Sequence, residues 1–407
     1  MAETSTDNSG RTRRFERKRE DIILAASQLI NEVGVRGMTF LDVANRVGLT
    51  TTSVTYYFQK KDLLAEAAFG YALDHLEAIV EEAGAMPTPQ ERVARVLELE
   101  LDDWAARRAG KSSRRAQLSE IRTLDDPVRT RLSRRFVAIV RRMRDFFGPE
   151  ETAEQKTANL VRAHVLMENL FWLPTWLPNY SSWEFARVHH YMMDLLTNGI
   201  AGKGGSWNPR PLEERAPDAG EAMQGGETFL SAATRLINTL GYRGASVNRI
   251  ASELKLTKGS FYHYLESKDE LVVRCFQRTY DRVSFLQQSA RTLDVPMRDA
   301  LASVLEKLLE IQFRGDLPLL RFSNLHALPP DPGRQVTAKA SRIARRHAAM
   351  LTDGMADGSI RPLDAAIAGR MISVAVNSAL VLRGFALERY PTAPAHYGRI
   401  LAHGMFD

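Results

Sequence analysis

Cysteine is nearly absent from this 407-residue sequence, where Cys275 stands alone. A single thiol excludes an intrachain disulfide and every multi-cysteine zinc site. Histidine is scarce as well, with nine residues. None of them forms a pair at ligand spacing: His189 and His190 are adjacent, and neighbouring side chains do not share a helix face. Neither a metal nor a cofactor is expected. Long apolar runs are missing too. The longest, Met371 to Leu382, has 12 residues and contains Ser and Asn, whereas a membrane-spanning helix needs about 20. Alternating runs of strand length, a phosphate-cradling glycine loop and a nucleophile elbow are equally lacking. The stretch Gly199-Ile-Ala-Gly-Lys-Gly does not have phosphate-loop spacing. These absences point to an all-α chain without an enzyme's machinery.

What is present is ordinary in amount. Hydrophobic residues make up 44% and charged residues 26%, the balance of a folded chain, and the length suits two to four domains. The opening stretch, MAETSTDNSGRTRRFERKRE, carries charge where an export signal needs an apolar core, so the cytoplasm is the expected compartment. The net charge of +6 is a mild bias toward polyanions.

The informative feature is an internal repeat. When Ala25 to Leu64 is laid over Ala232 to Leu271, 16 of the 40 positions are identical without a gap. Between the copies, nine of the 25 residues from Gly202 to Gly226 are Gly or Pro, and no helical period survives. That segment reads as a linker with a flexible reach of roughly 25–30 Å. The sequence therefore divides into a basic arm (1–19), a first small module (20–65), a first helical body (66–201), the linker (202–226), a second module (227–271) and a second body (272–407).

In the first module Ile22, Ile23, Ala26, Leu29, Ile30 and Val33 recur at helical spacing, and Gly34 suits a left-handed end to that helix. Thr39 with Asp42 three residues on predicts a capped second helix that Gly48 breaks. Thr50 caps a third helix from Thr51 to Phe58, with Val54 and Phe58 facing inward and Thr51, Thr52, Thr55 and Tyr56 facing outward. Two short helices joined by a tight turn, the second presenting small hydroxyls and a phenol, predict a helix-turn-helix whose last helix enters the major groove. Lys61 lies just beyond, placed for a phosphate. In the second copy Phe261 and Leu265 face inward, Lys258, Gly259, Tyr262 and His263 face outward, and Lys268 takes the place of Lys61. Lys255 replaces Gly48, which predicts a slightly altered turn.

At these residues both modules resemble the DNA-binding domain of the tetracycline-repressor (TetR) family of bacterial regulators. The family pattern A-x-x-x-G-V-S-x-G-x-L-Y-x-H-F-x-x-K-x-x-L is met as ANRVGLTTTSVTYYFQKKDLL from Ala44 and as ASELKLTKGSFYHYLESKDEL from Ala251. The first copy departs at Thr52 and Thr55, the second at Lys255 and Leu265. The resemblance implies a three-helix DNA-binding module followed by a helical body, twice in one chain. It places Thr50, Thr51, Thr52, Ser53, Thr55, Tyr56, Tyr57 and Lys61 at the DNA in the first copy, and Thr257, Lys258, Gly259, Ser260, Tyr262, His263, Tyr264 and Lys268 in the second. The family's phosphate-contacting Tyr is matched only by Tyr262.

Six of the nine residues from Arg11 to Arg19 are basic, an arm in which Arg11, Arg13 and Arg14 suit a minor groove or phosphates. In the bodies, helical patterns run near 66–83, 90–107, 126–147, 151–173 and 182–198, and again near 269–290, 297–313, 333–353, 363–385 and 395–405. The resemblance implies that such bodies bind a small effector and dimerise through their last two long helices. Ala365 to Leu382 looks like one dimerising helix, with Ala158 to Leu173 as its counterpart. Phe171, Trp172 and Trp176, with Trp183, suit an apolar effector pocket, an interface or ordinary core. The function expected is a DNA-binding regulator, a repressor released by a small apolar effector. Its partner is a double-stranded operator, and its two heads form a pseudo-dimer within the chain or four heads in a homodimer. The alternative is an interaction protein in which one module no longer binds DNA.

Overall fold

The computed structural model describes residues 5–202, 204–214, 226–253, 266–315, 318–321, 328–386 and 391–406. Among them no strand occurs, in keeping with an all-α fold of two TetR-like units. The helices of the first copy are α1 (Ser5–Gly37), α2 (Phe40–Val47), α3 (Thr51–Tyr57), α4 (Lys61–Gly84), α5 (Pro89–Arg108), α6 (Val128–Arg144), α7 (Ala153–Trp176) and α8 (Phe185–Asn198). Those of the second are α9 (Gly226–Gly244), α10 (Val247–Glu253), α11 (Lys268–Ala290), α12 (Met297–Arg314), α13 (Pro330–Ala356), α14 (Ala365–Ala386) and α15 (Ala393–His403). No described helix is long and apolar enough to cross a membrane.

The repeat is visible in the backbone as well as the sequence. α1 kinks at Gly34 (φ 77°), and α9 kinks at the equivalent position of the second copy, Gly241 (φ 74°). A positive φ costs a side-chain-bearing residue about 1 kcal/mol or more, which is why the same glycine serves both copies. Asn31 and Asn238, also identical in the repeat, do the same job twice. Asn31 donates to the Arg115 carbonyl (2.8 Å) and accepts from the Gln117 amide (2.9 Å). Asn238 donates to the Leu319 carbonyl (2.9 Å) and accepts from the Arg321 amide (2.8 Å). Each amide side chain satisfies a non-helical backbone segment that would otherwise be buried without partners.

The chain separates into two compact units that do not follow the boundary between the copies. The first takes Met1–Ile79 and Asp103–Ile139. Its core gathers Ile22, Ala26 and Ile30 of α1, Val43 and Val54 of the turn helices, and Leu64 and Phe69 of α4, all fully buried. Arg131 on α6 grips Glu66 (2.7 Å), and Arg135 pairs with both Asp74 and Glu77.

The second unit takes Val80–Asp102 and Val140–Asp407. It joins the last helices of the first copy to the whole second copy, because α7 packs on α14 and α15, and α8 on the same two helices. The reason lies in the small, apolar faces of these helices: Ala163, Leu166 and Leu173 on α7 and Ile367, Ile372 and Ala379 on α14 are completely buried. Beyond α8 and α15 the backbones cross closely. Ile200 N donates to the Leu401 carbonyl (2.9 Å) and Met405 N to the Leu196 carbonyl (2.8 Å). A Cβ on Gly199 or Gly404 would lie 2.4 or 2.3 Å from the opposing main chain, so only glycine permits this crossing.

The linker is partly docked. Asn208 N bonds Asp299, Arg210 N bonds Ser303 Oγ (2.7 Å), and Glu214 pairs with Arg282 and Arg314 on α11 and α12. Residues 204–214 therefore lie along the second body instead of spanning freely.

Candidate nucleic-acid interface

The turn between α2 and α3 is built by local capping. Thr39 Oγ1 accepts from the Asp42 amide (3.1 Å), which starts α2, and Gly48 ends it in the left-handed conformation (φ 64°). Thr50 Oγ1 accepts from the Ser53 amide (3.2 Å) and starts α3. Val54 (0% exposed) and Phe58 (5%) anchor the inner side of α3, the arrangement read from their i,i+4 spacing.

The outer side is polar and open. Thr51, Thr52 and Thr55 are exposed, and Tyr56 is 75% exposed. The Thr55 hydroxyl donates to the Thr51 carbonyl (2.9 Å), so it leans back on its own helix. Tyr57 is half-buried because Phe15 of α1 stacks on it, ring centroids 4.7 Å apart, while Phe15 also meets the edge of Tyr56 at 6.2 Å. Lys18, Leu49, Thr50, Thr52, Ser53, Tyr56 and Tyr57 line one depression of about 360 Å³. It brings a cation, hydroxyls and phenols together on the outer side of α3. Phe15 was not among the residues singled out in the sequence, and Lys18 was counted only as one of the basic residues of the arm. Their periodicity continues that of α1, which extends the helix back through the basic segment.

That continuation bears on the arm. Arg11, Arg13 and Arg14 lie on α1, with Arg13 and Arg14 exposed. A helix about 10–12 Å across does not fit a minor groove about 6 Å wide. A helical arm of this width keeps its backbone off the floor of a minor groove.

Lys61 is engaged within the module: its Nζ donates to the Arg36 carbonyl (3.1 Å), satisfying the end of the turn after Gly34. Lys268 takes the corresponding place against Tyr242, its ammonium 4.1 Å from the ring centroid. Each lysine thus holds the end of its module's first helix. Arg46 is held by Glu32 through two bonds of 3.0 and 2.9 Å. The remaining second-module residues, Thr257, Lys258, Gly259, Ser260, Tyr262, His263 and Tyr264, together with Lys255, Phe261 and Leu265, lie outside the described residues.

The aromatic residues suggested for an effector are placed differently from one another. Trp172 and Trp176 on α7 are buried (6% and 3% exposed), Phe171 is half-buried and Trp183 is 81% exposed. The Trp176 ring packs against Tyr180 and under the Arg370 guanidinium of α14, 5.9 Å from its centroid. That is an interface position.

Comparison with known proteins agrees with the helix-turn-helix geometry. The family described as "Bacterial regulatory proteins, tetR family" matches residues 22–68 and again residues 229–275. The chain carries two TetR-family DNA-binding domains in tandem. Among curated proteins, the HTH-type transcriptional regulator BetI of Yersinia pestis (strain Pestoides F) is 30% identical over 89 residues, 21% of this chain and 45% of that protein. BetI of Serratia proteamaculans (strain 568) is 29% identical over the same length. The chain thus spans a little under half the length of the curated relatives it matches. The TetR-family regulator PfmR from Thermus thermophilus is 21% identical with a TM-score of 0.34, over 42% of this chain and 96% of that one.

Proposed function

We propose that the protein is a DNA-binding transcriptional regulator in which one chain supplies two unlike TetR-type reading heads. The observation that carries this reading is the first head's outer face. Thr51, Thr52 and the 75%-exposed Tyr56 stand beside a depression edged by Lys18, and the same capped motif recurs in the second half of the sequence. In this reading Thr50, Ser53 and Lys18 take the phosphates, and Thr51, Thr52, Thr55 and Tyr56 meet the groove. In the second head Thr257, Lys258, Gly259, Ser260, Tyr262, His263 and Tyr264 take the equivalent places. Arg11, Arg13 and Arg14 add phosphate contacts, and Lys61 and Lys268 reach DNA after releasing Arg36 and Tyr242.

The pairing of α7 and α8 with α14 and α15 supports a pseudo-dimer within one chain, in place of the homodimer that a one-headed protein needs. The regulator acts in the cytoplasm as a repressor, and a small apolar effector in the helical bodies releases it by shifting the spacing of the heads. The test is binding to fragments from the promoter region beside its own gene, measured from low to moderate salt. Tight, strongly salt-dependent binding is expected, because phosphate contacts release counterions. A flat salt response, or no binding to any such fragment, overturns the reading.

A further inference from the structure

The seam between the two copies has approximate two-fold symmetry, and that symmetry shows what each residue would face if like halves paired. The crossing bonds Ile200 to Leu401 and Met405 to Leu196 make Leu196 the counterpart of Leu401 and Ile200 that of Met405, which sets the register of α8 against α15. Arg187 bonds Asp364 (2.6 Å), and the mirrored contact is Thr392 to Glu154 (3.1 Å). In the same register Arg187 matches Thr392, so Glu154 matches Asp364 and sets the register of α7 against α14. Gly148 and Gly358, both of positive φ, stand at matched distances before Glu154 and Asp364.

With those correspondences the seam is charge-reversed at Arg361 and Asp194, while two first halves would also set Arg187 against Glu154, an attraction that the Arg361 contact must outweigh. Arg361 holds Asp194 (2.7 Å) and also donates to the Gly199 carbonyl (2.9 Å) and the Asp194 carbonyl (3.2 Å). The counterpart of Arg361 in the first copy is Glu151, and the counterpart of Asp194 in the second is Arg399. Two first halves would set Glu151 against Asp194, twice. Two second halves would set Arg361 against Arg399, twice. The buried centre discriminates in the same direction. His164 Nδ1 lies 2.8 Å from the Tyr397 hydroxyl, which also meets Ser378 Oγ at 3.3 Å. Tyr397 corresponds to Met192 and His164 to Val374, so either like pairing leaves one of these polar groups buried against an apolar side chain.

We propose that this seam selects unlike halves, so that the chain closes on its own second copy and rejects like-with-like pairing with another chain. Specificity of this kind rests on repulsion in the wrong pair as much as on attraction in the right one. The proposal rests on the pseudo-dimer reading above and names the residues that enforce it.

The experiment uses the full chain with a protease site inserted after Glu214. The protein is cleaved, unfolded in urea and refolded so that halves pair anew, and the products are weighed by native mass spectrometry. Unlike pairs are expected to outnumber like pairs by about tenfold or more. In the Glu151→Arg, Arg399→Glu double variant, which removes both repulsions and keeps Arg361 with Asp194, like pairs are expected to rise severalfold. Adding Asp194→Arg and Arg361→Asp to that variant sets like charges against each other again in both kinds of like pair, keeps opposite charges together in the unlike pair, and is expected to restore the dominance of unlike pairs. Like and unlike pairs in statistical proportion, in the wild-type sequence, would overturn the selection alone. Halves that stay single after refolding, and also separate when the folded chain is cleaved, would overturn the pseudo-dimer itself.

Discussion

Tyr56 and Lys18 show how differently neighbouring side chains can serve one surface. Tyr56 is held by an aromatic edge contact to Phe15 and leaves three quarters of its area to a partner, whereas Lys18 borders the same depression from the other helix. Tyr56→Ala and Lys18→Ala are each expected to weaken operator binding by about 1 kcal/mol, roughly fivefold, and Lys18→Ala to reduce the slope of log affinity on log salt by about 1. Fluorescence anisotropy across a salt series measures both. Lys61→Ala should behave otherwise, lowering the melting temperature as well as affinity, because its bond to Arg36 supports the fold. Buried histidines set the acid limit. Burial pushes His164 and His347 down to about 4, with Arg321 adding to the effect at His164 and Glu168 opposing it. Their folded values lie below the unfolded value near 6.5, so the unfolded chain binds more protons between those limits and stability falls as pH drops from about 6.5 toward 4. The loss expected at pH 5 relative to pH 7.5 is about 2 kcal/mol per histidine, read by urea denaturation. A stability that is flat across that window would contradict the buried, neutral state of both rings.

Among the elements, those governed by local chemistry were legible in the sequence. Thr39, Gly48 and Thr50 cap and break α2 and α3 where their side chains and backbone freedom dictate. The helices of both bodies also begin and end within a few residues of the apolar periods. Elements whose state depends on distant partners were not legible. Six cations in nine residues read as an arm, and the helix that they join instead goes with the packing of Phe15 on Tyr57. Asn31 and Asn238 were visible as identities without a role, since the carbonyls they satisfy lie far along the chain, at Arg115 and Leu319. The docked course of residues 204–214 depends on Glu214 meeting Arg282 and Arg314, which composition does not reveal. The helical arm has its own consequence. Deleting residues 1–14 is expected to weaken binding to operator and unrelated DNA by similar factors, lowering the salt slope and leaving the specificity ratio nearly unchanged. Competition binding with both DNAs tests it, and loss confined to the operator would assign the arm to sequence readout.

At the scale of the whole molecule, duplication frees the protein from a constraint that binds a two-fold dimer. Two identical heads read a palindrome, with recognition helices about 34–36 Å apart on one face of the duplex. In the proposed reading the heads use Thr51, Thr52, Thr55 and Tyr56 in one copy and Lys258, Gly259, Tyr262 and His263 in the other. The residue types differ at every one of these matched positions, so on that reading the preferred bases are expected to differ as well. A seam that favours unlike halves then fixes one head of each kind on every operator. The expected complex is one chain covering two dissimilar half-sites, measured by light scattering with and without operator and by footprinting. Replacing either half-site with a copy of the other is expected to lower affinity by about 1–3 kcal/mol for each base pair that the displaced head reads. Equal affinity for the natural site and for both symmetrised sites would mean that only one kind of head reads sequence, and the second copy would then act through its body and its phosphate contacts alone.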